Sequence, residues 1–338
     1  MPKRIVISGY YGFKNFGDEA ILSVLVNKLK QDKHLISVIS SDPKYTKRLY
    51  KHIRSYKTFD MPNIIGAILK SDILISGGGS LLQDVTSFKS LVYYLLIIFI
   101  ALLFQKKVII FAQGIGPINN IAGKFFTKVL LKHCSYVSVR DKKSHQLLKS
   151  WGINSDLLSD PIFSIKIDNI IKSNTVGVQL RDYRGMNQDF IDRLAKSVSD
   201  NFSDKSIEIY SFQDEIDTKI CKDFEKNLKM LNPDIQTKVY TGLTNDEITE
   251  NVSRCEYLIA MRFHAIIIGL ISKSKILAIN YDIKVEKLAN EFHLPIIDTK
   301  HEFKTQFKDL KTQNPELHTS AIKNKQFNWD GFTKAIFD

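Results

Sequence analysis

Short apolar, β-branched runs recur along the chain. Each is closed by a glycine or a polar loop and followed by a stretch with helical spacing. In the first half they are RIVISGY (4–10), ISVIS (36–40), DILISGGG (72–79), KVIIFAQGIG (107–116) and YVSVRD (136–141). The second half repeats the rhythm with TVGVQLR (175–181), IEIYSF (207–212), TKVYTG (237–242), EYLIAMR (256–262) and KILAINYD (275–282). Near-continuous apolar strands alternating with helices indicate parallel sheets covered on both faces. Two such series predict two doubly wound, Rossmann-like α/β domains, 1–168 and 174–302, with a seam near 165–174 where KIDNIIKSN (166–174) serves as a linker. The remainder, 303–338, is polar with scattered aromatics (Phe303, Phe307, Phe327, Trp329, Phe332) and is expected to pack as helices on the body.

A length of 338 residues suits two domains. A content of 44% hydrophobic and 25% charged residues is that of an ordinary globular protein. The charge is lopsided. Residues 1–170 hold 24 Lys/Arg against 11 Asp/Glu, and residues 171–338 hold 24 against 25, so the net charge of +12 resides in the first half. Such a half either simply solvates its surface or meets an anionic partner: nucleic acid, a membrane surface or a phosphorylated substrate. The cations are scattered and no nucleic-acid module is visible, so a nucleic acid is not expected. Cys134, Cys221 and Cys255 lack metal-type spacing and cannot all pair, which points to a reducing cytoplasm. The chain enters KRIVISGY directly, so no cleavable signal is expected. Leu91 to Phe104 is an uncharged apolar run, too short for the roughly 20 residues of a spanning helix. A core helix is expected there, with a helix touching the membrane interface as the alternative.

In open parallel sheets, ligands bind beyond the C-terminal strand ends, and every suggestive motif falls at such an end. GYYGFKNFGDEAIL (9–22) spaces Gly12 and Gly17 as in a phosphate-binding loop, but Asp18 and Glu19 stand where Lys and Ser or Thr belong. Ile21, Leu22, Leu25, Val26 and Leu29 share a helical face, so both carboxylates fall at a helix N-terminus, where they suit the dipole. They either cap that helix or join Asn15 in presenting acceptors to sugar hydroxyls, with Gly12 letting the backbone approach. SGGGSLLQD (76–84), with Gly78, Gly79 and Asp84, and AQGIGP (112–117) are further glycine loops, read either as tight turns or as ligand contacts. VSVRD (137–141) sets Arg140 beside Asp141, as an ion pair at a turn or as a grip on an anion. In AMRFHAIIIGL (260–270) a strand ends at Arg262, Phe263 and His264 and an apolar helix begins. A lone histidine there is most often a capped structural residue. With Arg262 beside it and Lys284 after the next strand end, it would complete a cationic pocket for a small, highly charged anion with proton transfer.

GYYGFKNFGDEAIL, SGGGSLLQD, AQGIGP, SVRD, SDPIF (159–163), GVQLRDY (177–183), MRFHAIIIGL and YDIKVEKL together resemble the polysaccharide pyruvyl transferase family, especially its CsaB-like cell-wall branch. They follow in family order over most of the chain. The resemblance implies a GT-B-like fold, two Rossmann-like domains facing across a cleft. It implies transfer of pyruvate from phosphoenolpyruvate to a sugar as a cyclic ketal, with release of phosphate. His264 would be the general acid. Arg140 and Lys284 would hold the donor, with Arg262 as helper. Gly12, Asn15, Asp18, Glu19, Gly78, Gly79 and Asp84 would hold the acceptor, with Asp18 as a base. Phosphoenolpyruvate is a co-substrate, and this chemistry requires no cofactor and no metal. In that branch the acceptor is a lipid-linked saccharide, which implies a cytoplasmic protein, peripheral at the inner face of the membrane. Lys14 and Phe16 are bulkier than a plain glycine turn and the run 91–104 is more apolar than a soluble helix needs, and neither departure touches Arg140, His264 or Lys284. A GT-B nucleotide-sugar glycosyltransferase is the first alternative, although no diphosphate or base-stacking site is located. A non-catalytic binder of an anionic surface or nucleic acid is the second.

Overall fold

The computed structural model describes residues 2–167, 170–183 and 186–338. The expected linker therefore falls partly outside the described residues, at 168 and 169. The chain groups into two compact units, Met1–Ser164 with Gln326–Asp338, and Ile165–Lys325. Of the expected tail, residues 303–325 fall in the second unit and 326–338 in the first.

The first unit runs β1 (Arg4–Ser8), α1 (Phe16–Gln31), β2 (Leu35–Ser40), α2 (Pro43–Leu49), β3 (Arg54–Lys57), α3 (Met61–Leu69), β4 (Ile73–Ser76), β5 (Gly79–Leu82), α4 (Phe88–Leu103), β6 (Lys107–Ile115), α5 (Ile121–Lys132), β7 (Tyr136–Val139), α6 (Lys142–Ser150) and β8 (Asp156–Leu157). The second runs β9 (Ser173–Gln179), α7 (Gln188–Asn201), β10 (Ser206–Tyr210), α8 (Asp214–Leu231), β11 (Thr237–Tyr240), α9 (Asn245–Arg254), β12 (Cys255–Ala260), α10 (Phe263–Ile271), β13 (Lys275–Ile279), α11 (Ile283–Glu291), β14 (Ile296–Ile297), α12 (Lys304–Thr312) and α13 (Thr319–Asn324). Helix α14 (Asp330–Phe337) rejoins the first unit, where Phe327, Trp329 and Phe332 ring Phe111 of β6. In the second unit, Phe303 and Phe307 pack against Phe190 and Phe202 of α7 and its end.

Among the described residues the sheets are parallel. The first has the order β3-β2-β1-β4-β6-β7-β8 with β5 beside β6, and the second β11-β10-β9-β12-β13-β14. In both, the chain starts at the centre, works outward to one edge, then jumps back across the starting strand. The reversal lies between β1 and β4 in one sheet and between β9 and β12 in the other. Every run expected as a strand forms one. Gly79–Leu82, read as part of a glycine loop, forms the short strand β5. Several helix starts are written in the sequence: Asn15, Ser87, Asn120 and Asp141 each accept a first-turn amide with the side chain. Such caps are typically worth about 1 kcal/mol each.

Helix α1 buries Ile21, Leu22, Leu25, Val26 and Leu29, the face read from their spacing. Helix α4 buries Leu91, Leu95 and Ile98 in the core shared by β4 and β6, but it is apolar on its outer side as well.

The loop after β1 is held by a wedge. Tyr11 is fully buried, and its carbonyl accepts the Ser41 amide at 2.9 Å. Its ring occupies the space that a Cβ at Gly77 would need, at the end of β4. The Gly77 amide donates to the Ser8 carbonyl at 2.7 Å, so the backbone there cannot withdraw from the ring. Overpacking of this kind typically costs about 1–3 kcal/mol. Gly77→Ala should therefore lower stability by about that amount in denaturant unfolding. The same change made in a Tyr11→Phe background should cost at least about 1 kcal/mol less, because the hydroxyl is the nearest obstacle. Additive effects of the two substitutions would show that the contact is not the constraint.

Candidate functional site

The loops that leave β1 and β4, on either side of the first sheet's reversal, carry most of the residues expected on the acceptor side. Asn15 is the N-cap of α1 and accepts the Gly17 amide at 3.3 Å. Gly12 has φ +79°, in the left-handed region, and its amide donates to Glu19 Oε1 at 2.5 Å. Glu19 is fully buried, and burial pushes its carboxyl up to about 7, against the opposing pull of the Gly12 and Lys14 amides. Asp18, one residue earlier, is half-buried. A Cβ placed on Gly79 would lie 2.6 Å from its Oδ1, so the carboxylate stands against the glycine run. Gly78 packs on Ile21 of α1. Gly12, Asn15, Asp18, Glu19, Gly78 and Gly79 thus form one cluster around the start of α1.

Asp84 is not part of it. Its carboxylate accepts the amide of Asn119 at 2.9 and 2.8 Å and that of Asn120 at 2.7 Å, and these bonds hold it below the usual carboxylate range. It ties the loop before α4 to the loop before α5. Nearby, Gln113 of β6 donates to Ser76 Oγ and to the Gly77 carbonyl, both at 2.7 Å, which fixes the end of β4 from the opposite side.

Arg140, at the end of β7, donates from Nη1 to Asp160 Oδ2 at 2.6 Å and from Nη2 to Ser80 Oγ at 3.4 Å. Both members of the ion pair are largely shielded from solvent. The sequence set Arg140 beside Asp141, but Asp141 instead caps α6 through Ser144. The partner, Asp160, lies in SDPIF, 20 residues further along the chain.

In the second unit the expected residues leave two adjacent strands, β12 and β13, and β9 lies on the other side of β12. Neighbouring parallel strands lie about 4.8 Å apart, so their ends form one narrow ledge. Arg262 follows β12 and makes a bidentate pair with Asp217, Nε to Oδ2 at 3.0 Å and Nη2 to Oδ1 at 2.8 Å. Asp217 is fully buried and also accepts the Phe212 and Gln213 amides at 3.2 and 3.0 Å. Burial pushes its carboxyl upward, and the guanidinium opposes that shift. The Arg262 amide is held in turn by Gln179 Oε1 at 2.7 Å. Arg262 is therefore a strut that fixes the start of α10. His264 occupies the first turn of that helix, half-buried, with its ring edge-on to Phe263. Lys284 is exposed in the first turn of α11, where Asp282 caps its amide at 2.8 Å.

Sequence reasoning missed Arg181. It lies just beyond β9, with its guanidinium over the Tyr281 ring at 5.8 Å, and Tyr281 meets Tyr183 edge-on. Its amide donates to Met261 Sδ at 3.2 Å, tying the loops after β9 and β12 together. The signal was its position: it is the cation at the end of the strand that begins the second sheet. Arg181, His264 and Lys284 thus occupy neighbouring strand ends, where a helix N-terminus adds its own attraction for an anion. Arg140 belongs to the first unit. Among the described residues, no group of three or more His, Cys, Asp or Glu is placed to hold a metal ion.

Glu19 gives a pH test of the first unit's loop. Its folded pKa of about 7 lies above the unfolded carboxyl value, so the folded state binds the extra proton between about pH 4.5 and 7. The contribution to stability is full below that window and is lost as pH rises through it. Glu19→Gln removes the titration and keeps an acceptor for Gly12. Relative to the parent, the variant should gain stability between pH 5 and pH 8, by up to about 3 kcal/mol. A parent–variant difference in denaturant midpoint that stays flat with pH would remove the assignment.

The fold is shared with solved nucleotide-sugar enzymes. The UDP-GlcNAc 2-epimerase of Methanocaldococcus jannaschii aligns at TM-score 0.62 and 12% identity, covering 96% of this chain and 94% of that one. A glycosyltransferase from Rickettsia africae aligns at TM-score 0.62 and 15% identity, covering 99% and 97%. The Anabaena protein HepE, solved with UDP-glucose, aligns at TM-score 0.58 and 12% identity, covering 98% and 94%. These likenesses establish a GT-B-like α/β fold. No curated protein matches the chain. The sequence profile of the family described as polysaccharide pyruvyl transferase matches residues 15–283. With both sheets, their reversals and their motif-bearing loops inside or beside that span, the chain belongs to the polysaccharide pyruvyl transferase family.

Proposed function

We propose that the protein transfers pyruvate from phosphoenolpyruvate to a sugar of a cell-wall or surface polysaccharide precursor, as a cyclic ketal with release of phosphate, and that it belongs to the CsaB-like branch. The observation that carries this is the ledge of Arg181, His264 and Lys284 at the reversal of the second sheet. Phosphoenolpyruvate is small and carries both a phosphate and a carboxylate. Two cations beside a helix N-terminus neutralise such a donor without needing room for a base or ribose. Arg140 and Arg262 are each paired with a buried carboxylate. Arg262 in this scheme positions His264, and Arg140 contributes to the donor only the attraction left over by Asp160.

His264 gives its proton to the methylene carbon of the donor, which leaves an oxocarbenium-like centre at C2. A sugar hydroxyl adds there. A second hydroxyl of the same sugar then forms the other C–O bond as the phosphate leaves C2. Of the two hydroxyl protons released, one restores His264 and the other leaves with phosphate. Asp18, at the glycine cluster of the first unit, is the proposed base for the first hydroxyl and passes that proton on to the departing phosphate, while Asn15 and Glu19 order the loop that presents it.

The nucleotide-sugar alternative rests on the solved relatives, several of which carry UDP or a UDP-sugar. One incubation separates the two: phosphoenolpyruvate with lipid-linked or nitrophenyl sugars should release phosphate, whereas UDP-sugars should release no nucleotide. His264→Gln should lower turnover by about 10²–10⁴-fold, as loss of a general acid does, while phosphoenolpyruvate affinity stays within about tenfold. Near-normal turnover in that variant would end the role assigned to His264. Asp18→Asn should lower kcat while leaving donor affinity unchanged, and full activity would remove it as the base.

A further inference from the structure

The outer face of α4 is as apolar as its inner one. Phe88, Val92, Leu96, Phe99 and Leu103 recur at helical spacing, and each is 41–61% exposed. Helix α5 packs beside it, with Gly123 against Phe88 and Leu91, and adds Ile121, Phe125 and Phe126, which are 55–87% exposed. The two faces meet at Phe88 and make one apolar surface on the first unit. Single exposed apolar residues need no explanation, but a contiguous stripe over two helices does.

The charge around it is one-sided. From Val85 to Arg140 the chain has seven Lys and Arg and not one Asp or Glu. Lys106 and Lys107 are spent on backbone carbonyls and Arg140 on Asp160. The other four, Lys89 on α4 and Lys124, Lys128 and Lys132 on α5, form no ion pair among the described residues. At 16 residues, α4 is about 24 Å long. No helix among the described residues is long and apolar enough to cross a membrane.

We propose that α4 and α5 form a surface that lies on an anionic phospholipid bilayer, inserting the stripe from Phe88 to Leu103 at the headgroup boundary with the lysines against lipid phosphates. A helix with an exposed apolar face and a cationic rim lies in the interface instead of spanning it. Each lysine near such a surface adds about 1 kcal/mol, or roughly fivefold. A second copy of the chain fits less well, because a symmetric contact would bring the carboxylate-free rim against itself. The proposal stands on this surface alone and is independent of the reaction assigned above.

The full chain is to be sedimented with vesicles of phosphatidylcholine, with and without about one third phosphatidylglycerol. It should pellet with the anionic vesicles at low salt, bind at least about tenfold less to phosphatidylcholine alone, and be released as salt rises. Lys124→Gln and Lys128→Gln should each weaken binding about fivefold. The pair Phe99→Ser with Phe125→Ser should abolish it without changing the thermal transition, since both side chains are exposed in the free protein. Failure of the parent protein to pellet with anionic vesicles overturns the proposal. So does a dimer in sedimentation velocity that the Phe99→Ser, Phe125→Ser pair converts to monomer, which would give the surface to a second copy.

Discussion

A parallel strand cannot be followed by a hairpin. The chain must cross back over the sheet before it can pair again, so every loop that leaves a strand emerges on the same edge. The rest of this molecule hangs on that restriction. It gathers the loops after β1, β4 and β6 in one unit and those after β9, β12 and β13 in the other. At each reversal of strand order the helices go to opposite faces, and the loops part. The residues with chemical character crowd into those two partings, and the strands behind them are almost wholly buried.

Fixing such loops requires charges in places where charges are costly. Arg262 and Asp217 face each other out of water, where either charge left without its partner would be costly. What the arrangement provides is direction. The guanidinium, held at two nitrogens by Asp217 and through its backbone by Gln179, leaves the first turn of α10 few ways to turn. Glu19 does the corresponding task in the first unit by a different means. It meets the amides of Gly12 and Lys14 and, among the described residues, makes no ion pair, so it holds the loop while its own carboxyl is pushed toward neutrality. The two units thus use a paired and an unpaired carboxylate for the same end.

Much of this was legible in the residues. Runs such as DILIS and KVIIFA are too short and too β-branched for helices, and their spacing left room for crossover helices between them. The buried face of α1 followed from its period. What escaped depended on contacts distant in sequence. Nothing local distinguishes Asp84, which binds a loop 35 residues away, from an acid awaiting a ligand. Arg140 has an acid as its next residue, yet pairs with one 20 residues on. Arg181 was passed over because a lone arginine at a strand end carries no pattern of its own. Only the strand order, with β9 beside β12, sets it next to His264. Strands β3 and β5 escaped for another reason. Arg54–Lys57 is polar at an edge, and Gly79–Leu82 opens in glycines, so neither resembles the buried core strands.

Asp84 joins two loops that nothing in the local sequence connects. One leads into α4 and the other into α5, and a single carboxylate grips the second by two successive amides. Helix starts joined in this way cannot drift independently. From α5 the chain leads back to β6, where Gln113 grips the glycine run at Gly77. The first unit therefore has a continuous run of contacts from its two outer helices to its glycine loops, made of one acid, one amide side chain and the strand between them.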